Sequence, residues 1–364
     1  MYRRCLLLLI CSIFMVTALV RAQEPPPPEE PGQEPPPPEE PAGDETPPEK
    51  PPDGETPPEK PPEEAPKKEK PKSENLIPPS YISERAVKLL NEGVELMEKA
   101  KQGGSNSLDY VDQALKKFEG AVLASGKDFA LAEYHRGIAF QFTQEFTEAR
   151  RVLERALKVN PKFYEAMVEL GDTHAWMKDY ENAQKLYDRC IETKPDYALA
   201  PRNKAIIFLR TRELEKAQEF IKKAMALDPE DKLGKELEKD IDIEVKGPGF
   251  KKEYVKESAH YRIMTDIGQQ FADDLAKEIE LIYNVFTNVF PKIDKEKKKF
   301  PIYVFANPKD YFTWGGPPGS GGFFSDLQQK LQFFRQKSEV DTRLVLYHEG
   351  FHQFLNHYLL DCPM

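Results

Sequence analysis

The chain closes on "RLVLYHEGFHQFLNHYLLDCPM", in which His348, Glu349 and His352 have the spacing H-E-x-x-H. On a helix the two imidazoles stand one turn apart on one face, so both can reach a single ion. Glu349 lies about 100° round the helix from His348, close enough for its carboxylate to hydrogen-bond a water on that ion. The matching chemistry is hydrolytic. Zinc lowers the pKa of its bound water, and the glutamate takes the proton as the hydroxide attacks a peptide carbonyl. His348 and His352 are therefore candidate zinc ligands, and Glu349 is the candidate catalytic base.

The elements around these residues are mixed. The helix that carries them is predicted over about 341–360, capped by Asp341, with Leu344, Val345, Phe351, Leu355 and Tyr358 on its apolar side. Upstream, "AHYRIMTD" (259–266) alternates as a strand, and 269–290 has helical spacing ended by Pro291. "KFPIYVFA" (299–306) and "KLQFFRQ" (330–336) read as further strands. The glycine-rich "WGGPPGSGGFF" lacks the Gly-Lys-Ser/Thr ending of a phosphate cradle and reads as a loop.

The order strand, long helix, strand, strand, H-E-x-x-H helix resembles the N-terminal half of zincin metallopeptidases. More narrowly, "HYRIMTD" and "YHEGFHQFLNHYL" look like an uncharacterised gluzincin-type family. The resemblance covers about 255–364 and implies that "KLQFF" is the edge strand above a substrate cleft. It also implies a third ligand, a glutamate on a helix some twenty residues further on. No glutamate follows Glu349, and Leu355 and Tyr358 stand where a histidine variant would place its ligand. His357 lies about 140° round the helix from His352, and Asp361 nearly opposite. The expectation is an incomplete zincin-like domain over 250–364, with two zinc ligands and no peptidase activity unless the sequence continues into the missing helix.

Between 130 and 229 the chain repeats itself every 34 residues. Gly137, Gly171 and Ala205 are followed by Ala149, Ala183 and Ala217, then Ala156, Cys190 and Ala224, then Pro161, Pro195 and Pro229. Small residues suit close helix crossings, with Leu153, Tyr187 and Ile221 filling the space beside them, and proline ends each second helix. These residues closely resemble the tetratricopeptide repeat (TPR) family. Three full units span 130–161, 164–195 and 198–229. A degenerate first unit fits about 82–124, with Gly93, Ala114, Phe118 and Ala121 in register and "KQGGSNS" inserted. Residues 230–245 then read as a polar capping helix, closing a repeat domain over 80–245. In such repeats the first helix of each unit lines a concave groove, which implies Tyr134, Phe142, Trp176, Arg202 and Arg210 as groove residues. An aromatic and basic groove suits a protein or peptide partner with acidic groups. Packing of Phe142 and Trp176 between helices is the alternative, and His135 and His174 read as packing or solvated side chains. Cys190, at a small-residue position, reads as a buried inert thiol.

Residues 1–22 have two early arginines, an apolar run from Cys5 to Val20 and the small-residue ending Val20-Arg21-Ala22, the order of a secretory signal. An uncleaved membrane anchor is the alternative. From Gln23 a ten-residue repeat, "QEPPPPEEPG" and its variants, opens a proline- and glutamate-rich linker over 23–79 that has too few apolar residues to bury a core. Residues 23–72 hold 15 acidic and 6 basic side chains, so most of the net charge of −10 is the linker's. No basic tract argues for nucleic acid. With two of the four cysteines, Cys5 and Cys11, in the signal, Cys190 and Cys362 are too few for a disulfide framework.

The reading is thus mainly α: a disordered linker, a TPR α-solenoid and a partial α+β zincin-like domain. Function follows as an exported interaction scaffold, periplasmic, envelope-bound or secreted. An active secreted peptidase and a stalked envelope protein are the alternatives. Exported material should begin at Gln23 on N-terminal sequencing. Recovery of Met1 would replace the signal with an anchor.

Overall fold

The structure is a computed structural model that describes residues 74–76, 78, 80–126, 129–289 and 299–358. The signal, most of the linker, Pro291, Asp361 and Cys362 lie outside the described residues, as does the side chain of His357. No described helix is long and apolar enough to cross a membrane.

After a short 3-10 turn at Glu74–Leu76 come α1 (Glu84–Lys101) and α2 (Ser107–Ser125), then α3 (Ala130–Phe142) and α4 (Phe146–Val159). Next are α5 (Tyr164–Trp176), α6 (Tyr180–Thr193), α7 (Leu199–Arg210), α8 (Leu214–Leu227) and α9 (Lys232–Lys246). Successive helices pair as αα-hairpins, α1 with α2, α3 with α4, α5 with α6 and α7 with α8. The close crossings explain the small residues. A Cβ on Gly171 would stand 2.5 Å from Cε1 of Tyr187, and one on Gly137 2.5 Å from Cγ of Leu153. In the last unit the small residue at this position is Ala205, packed in one buried cluster with Ile221.

The turns inside the units also recur. Gln144, Lys178 and Arg212 stand in the left-handed region at φ 62°, 60° and 61°. In each, the amide of the next residue reaches five residues back, as in Glu145 N to Phe140 O (2.8 Å) and Asp179 N to His174 O (2.8 Å). This double-bonded stop satisfies carbonyls that the ended helix leaves open. None of the three is glycine, so each unit tolerates the Cβ penalty of that conformation.

The C-terminal part is a five-stranded sheet of order β1-β2-β3-β5-β4 with helices. Its elements are β1 (Tyr254–Glu257), β2 (Tyr261–Thr265), α10 (Gln269–Val289), β3 (Phe300–Phe305), α11 (Pro308–Thr313), β4 (Gly322–Ser325), β5 (Lys330–Phe334) and α12 (Glu339–Tyr358). β2, β3 and β5 run parallel, while β1 and β4 are antiparallel edges. Three expectations are corrected here. "KLQFF" is an inner strand paired on both sides, so it cannot be the edge above a cleft. The edge is β4, built from the end of the glycine-rich stretch read as loop. Helix α12 starts before Asp341, because Ser338 Oγ accepts from Asp341 N (3.0 Å) and supplies the cap.

Helix α9 also departs from a polar cap. It buries Leu237, Ile241 and Glu244, and Glu244 is the splice between repeats and sheet. Its carboxylate pairs with Arg212 (2.6 Å) and with Lys330 of β5, both members of the latter pair being 1% or less exposed. The Lys330 ammonium lies 3.4 Å from the Trp314 ring centroid, and Trp314 Nε1 donates to Ile243 O of α9 (3.2 Å). Arg212 Nη2 donates to the Tyr303 hydroxyl of β3 (3.2 Å).

Overpacking sets the first prediction from the fold. Gly171→Ala forces a methyl into the buried Tyr187 ring and should cost about 1–3 kcal/mol in urea unfolding. An unchanged midpoint would sink the close-crossing explanation of the 34-residue pattern.

Candidate functional site

Helix α12 lies on the sheet through an aromatic seam. Phe351 and Phe354 each set their rings 5.1 Å from Phe286 of α10. Its approach to β4 needs Gly322, where a Cβ would meet Val345 Cγ1 at 2.4 Å and Glu349 Cγ at 3.3 Å. With the helix so placed, His348 is exposed and His352 half-buried. Their Nε2 atoms are 3.3 Å apart. Two nitrogens each about 2.05 Å from a tetrahedral zinc stand roughly 3.3 Å apart, so the pair fits two corners of such a site. Burial pulls the His352 imidazole below its ordinary pKa, and neighbouring His348 acts in the same direction. Among the described residues no group of three or more His, Cys, Asp or Glu side chains gathers to hold a metal.

Glu349 has a role that sequence reasoning missed. Its Oε2 accepts from Phe324 N of the edge strand (3.1 Å), tying the helix to β4 beside the histidines. Nearby, the buried amide of Gln353 has neither its oxygen nor its nitrogen paired, a cost of about 1–3 kcal/mol for each group so left.

The concave face of the repeats differs from its expectation. Tyr134 is 8% exposed and packs on Phe163 at 4.9 Å, so it is core. Arg202 is taken by Asp231 (2.9 Å) and Arg210 by Asp326 of the β4–β5 turn (2.9 Å). Neither is a free cation for an acidic ligand. Phe142 and Trp176 are exposed, Trp176 at 60%. The Trp176 ring stacks on Phe146 at 6.0 Å, with the Arg210 guanidinium 5.7 Å from its centroid.

Helix α5 also carries a row of acids, Glu165 among them buried. Glu165, Glu169 and Asp172 fall at i, i+4 and i+7 along α5, one stripe of the helix. The spacing was readable in "YEAMVELGDTHAW". Tyr187 and Asn203 donate to Asp172 (2.6 and 2.8 Å). Burial pushes the Glu169 carboxyl up to about 7, with Asp172 beside it adding to the shift. Glu165 is 4% exposed, and its Oε1 has no partner. His174, the other repeat histidine, pairs through Nδ1 with Asp179 (2.9 Å). Cys190 is buried and free, and burial pushes its thiol up to about 12, as an inert thiol requires.

Comparison with known proteins places the repeats in a class. Tetratricopeptide repeat family models match residues 143–199 and 203–231. The chain carries tetratricopeptide repeats.

Among curated proteins it is similar to the mitochondrial import receptor subunit TOM70 of Rattus norvegicus and of Mus musculus. Each is 26% identical over 129 residues, 33% of this chain. The match spans only 21% of the length of either relative. Solved structures similar to it include MamA, at 22% identity and TM-score 0.34, covering 40% of this chain and 78% of that one. Another is a thermophilic TPR protein of Thermus thermophilus, at 18% identity and TM-score 0.38, covering 44% and 82%.

One histidine packed in the repeats responds to acid. His135 stacks on Phe118 (5.5 Å, 19°), and burial pulls its pKa down to about 4. The unfolded chain therefore holds more protons than the fold between pH 4 and the ordinary 6.5. Stability from this residue is full above about 6.5 and is lost as pH falls toward 4. His135→Phe should flatten that part of a pH–stability profile. An identical acid slope in the variant would remove His135 as the cause.

Proposed function

We propose that the protein is an exported interaction scaffold whose tetratricopeptide repeats are fastened to a zincin-like domain bearing two of the donors of a zinc site. The scaffold part is supported by the repeats themselves and by similarity to a receptor subunit in the matched stretch. The observation that carries the metal part is the pair of imidazole nitrogens at tetrahedral spacing on α12.

His348 and His352 would hold zinc through Nε2, and a third protein donor would come from outside the described residues. A zinc ion bound there supplies a water of lowered pKa and a Lewis acid for a carbonyl. Glu349, one residue along, can accept a proton at a carboxylate oxygen while its Phe324 bond keeps the carboxylate beside the pair. β4 is the edge strand next to these side chains, and an extended peptide adding to it would compete with Glu349 for the Phe324 N–H.

Two histidines make a weak site. Titration against a chromophoric chelator should show labile zinc in the 364-residue chain, lost in His352→Ala, with no hydrolysis of casein. Unaltered chelator competition in His352→Ala would remove the metal reading. Tight stoichiometric zinc with hydrolysis abolished by Glu349→Gln would favour the active peptidase.

A further inference from the structure

On the repeats, α4, α5 and α6 border an open cavity of about 390 Å³. That lies at the small end of the range for ligand pockets, about 300–1,000 Å³. Each helix turns one face to it. α6 supplies Asn182, Leu186 and Arg189, α5 supplies Leu170 and His174 one turn apart, and α4 supplies Glu154. Leu170 is buried and Leu186 half-buried, so the floor is apolar.

The polar groups around that floor have bonding capacity to spare. His174 is 8% exposed, and its Nδ1 donates to Asp179 Oδ2 (2.9 Å). Asn182 Nδ2 donates to the same oxygen (2.8 Å). The Asn182 bond, with the His174 bond behind it, holds the Asp179 carboxyl below its ordinary range. An ionised Asp179 fixes the proton on Nδ1, which leaves Nε2 of the neutral imidazole as an acceptor. Among the described residues Nε2 has no donor.

Two unpaired charges stand at the rim. Arg189 Nη2 donates to a neutral carbonyl, Pro161 O (2.6 Å), and the guanidinium has no carboxylate partner among the described residues. Glu154 has no bonding partner among them. Lys185, the other cation at the rim, is matched by Glu181 (2.5 Å). Arg189 and Glu154 border one cavity without meeting, and a ligand carrying one charge of each sign satisfies both.

We propose that this cavity binds a free apolar amino acid. Its carboxylate rests on Arg189, its ammonium on Glu154 and Nε2 of His174, and its side chain on Leu170 and Leu186. A polypeptide segment crossing the cavity has neither terminal charge to offer. Because α4 belongs to the second unit and α5 and α6 to the third, the ligand clamps two neighbouring units together. The site is separate from the histidine pair of α12 and needs no metal.

The test is isothermal titration of L-leucine and of L-phenylalanine into the full chain. Saturable one-to-one binding of at least one is expected. Its N-acetyl and amide derivatives should each bind at least tenfold more weakly, because each lacks one charge. Glu154→Gln should remove the preference for the free amino acid over its N-acetyl form, and Arg189→Gln the preference over its amide. Arg189 also holds Pro161, so circular dichroism melts accompany that variant. Glu154 holds nothing else among the described residues, and its arm stays readable even where Arg189→Gln unfolds. No saturable binding of either amino acid at millimolar concentration would overturn the proposal. So would binding whose preference for the free amino acid survives Glu154→Gln unchanged.

Discussion

One buried charge cluster holds the two halves of the described structure in a fixed relation. Glu244 on the last helix of the repeat array meets Lys330 from the middle of the sheet and Arg212 from the turn of the fourth unit. A carboxylate and an ammonium withdrawn from water are tolerated only when each finds the other and further polar or aromatic contacts. Here those are the Trp314 ring under the ammonium and the Tyr303 hydroxyl on Arg212. Losing one partner of such a pair costs about 3–5 kcal/mol, because the other is left charged and alone. The cluster therefore works as a latch with a strong geometric requirement. Repeats and sheet must meet in this register.

From that register follows the placement of the rest. Arg210 reaches Asp326 in the β4–β5 turn, Asp326 accepts from Asn356 near the end of α12, and Lys178 donates to the carbonyl of Asn356. The non-glycine turn residues of the third and fourth units thus reach the second domain through Lys178 and Arg212. The groove's arginines are consumed by internal partners for the same reason. Two arginines that looked available in the residue list are paired in the folded protein.

The legible parts of the fold were those decided locally. A 34-residue period of small residues announces paired helices, and at Gly137 and Gly171 the facing Leu153 and Tyr187 leave no room for a Cβ. The H-E-x-x-H spacing likewise announces two imidazoles on one helical face, and the 3.3 Å separation agrees. The illegible parts depend on partners far along the chain. Nothing in "KLQFF" says that β4 covers its outer side, since an apolar strand reads alike at an edge or inside. Glu244 looked like one of many charges on a polar helix, and its burial is explained by Arg212 and by Lys330, 86 residues on. Glu349 shows the limit within the site itself: its spacing was plain, and its bond to Phe324 was not.

The central claim is that the repeats and the sheet form one cooperative unit through the Glu244 latch. It is tested most directly by thermal unfolding of a Trp176→Phe chain, in which Trp314 is the only remaining tryptophan. Far-UV circular dichroism reports the helical repeats, and Trp314 fluorescence reports the interface and sheet. The account predicts coincident transitions, with Glu244→Ala making the Trp314 signal melt ahead of the helices. Separate transitions in the chain with Glu244 intact would contradict it.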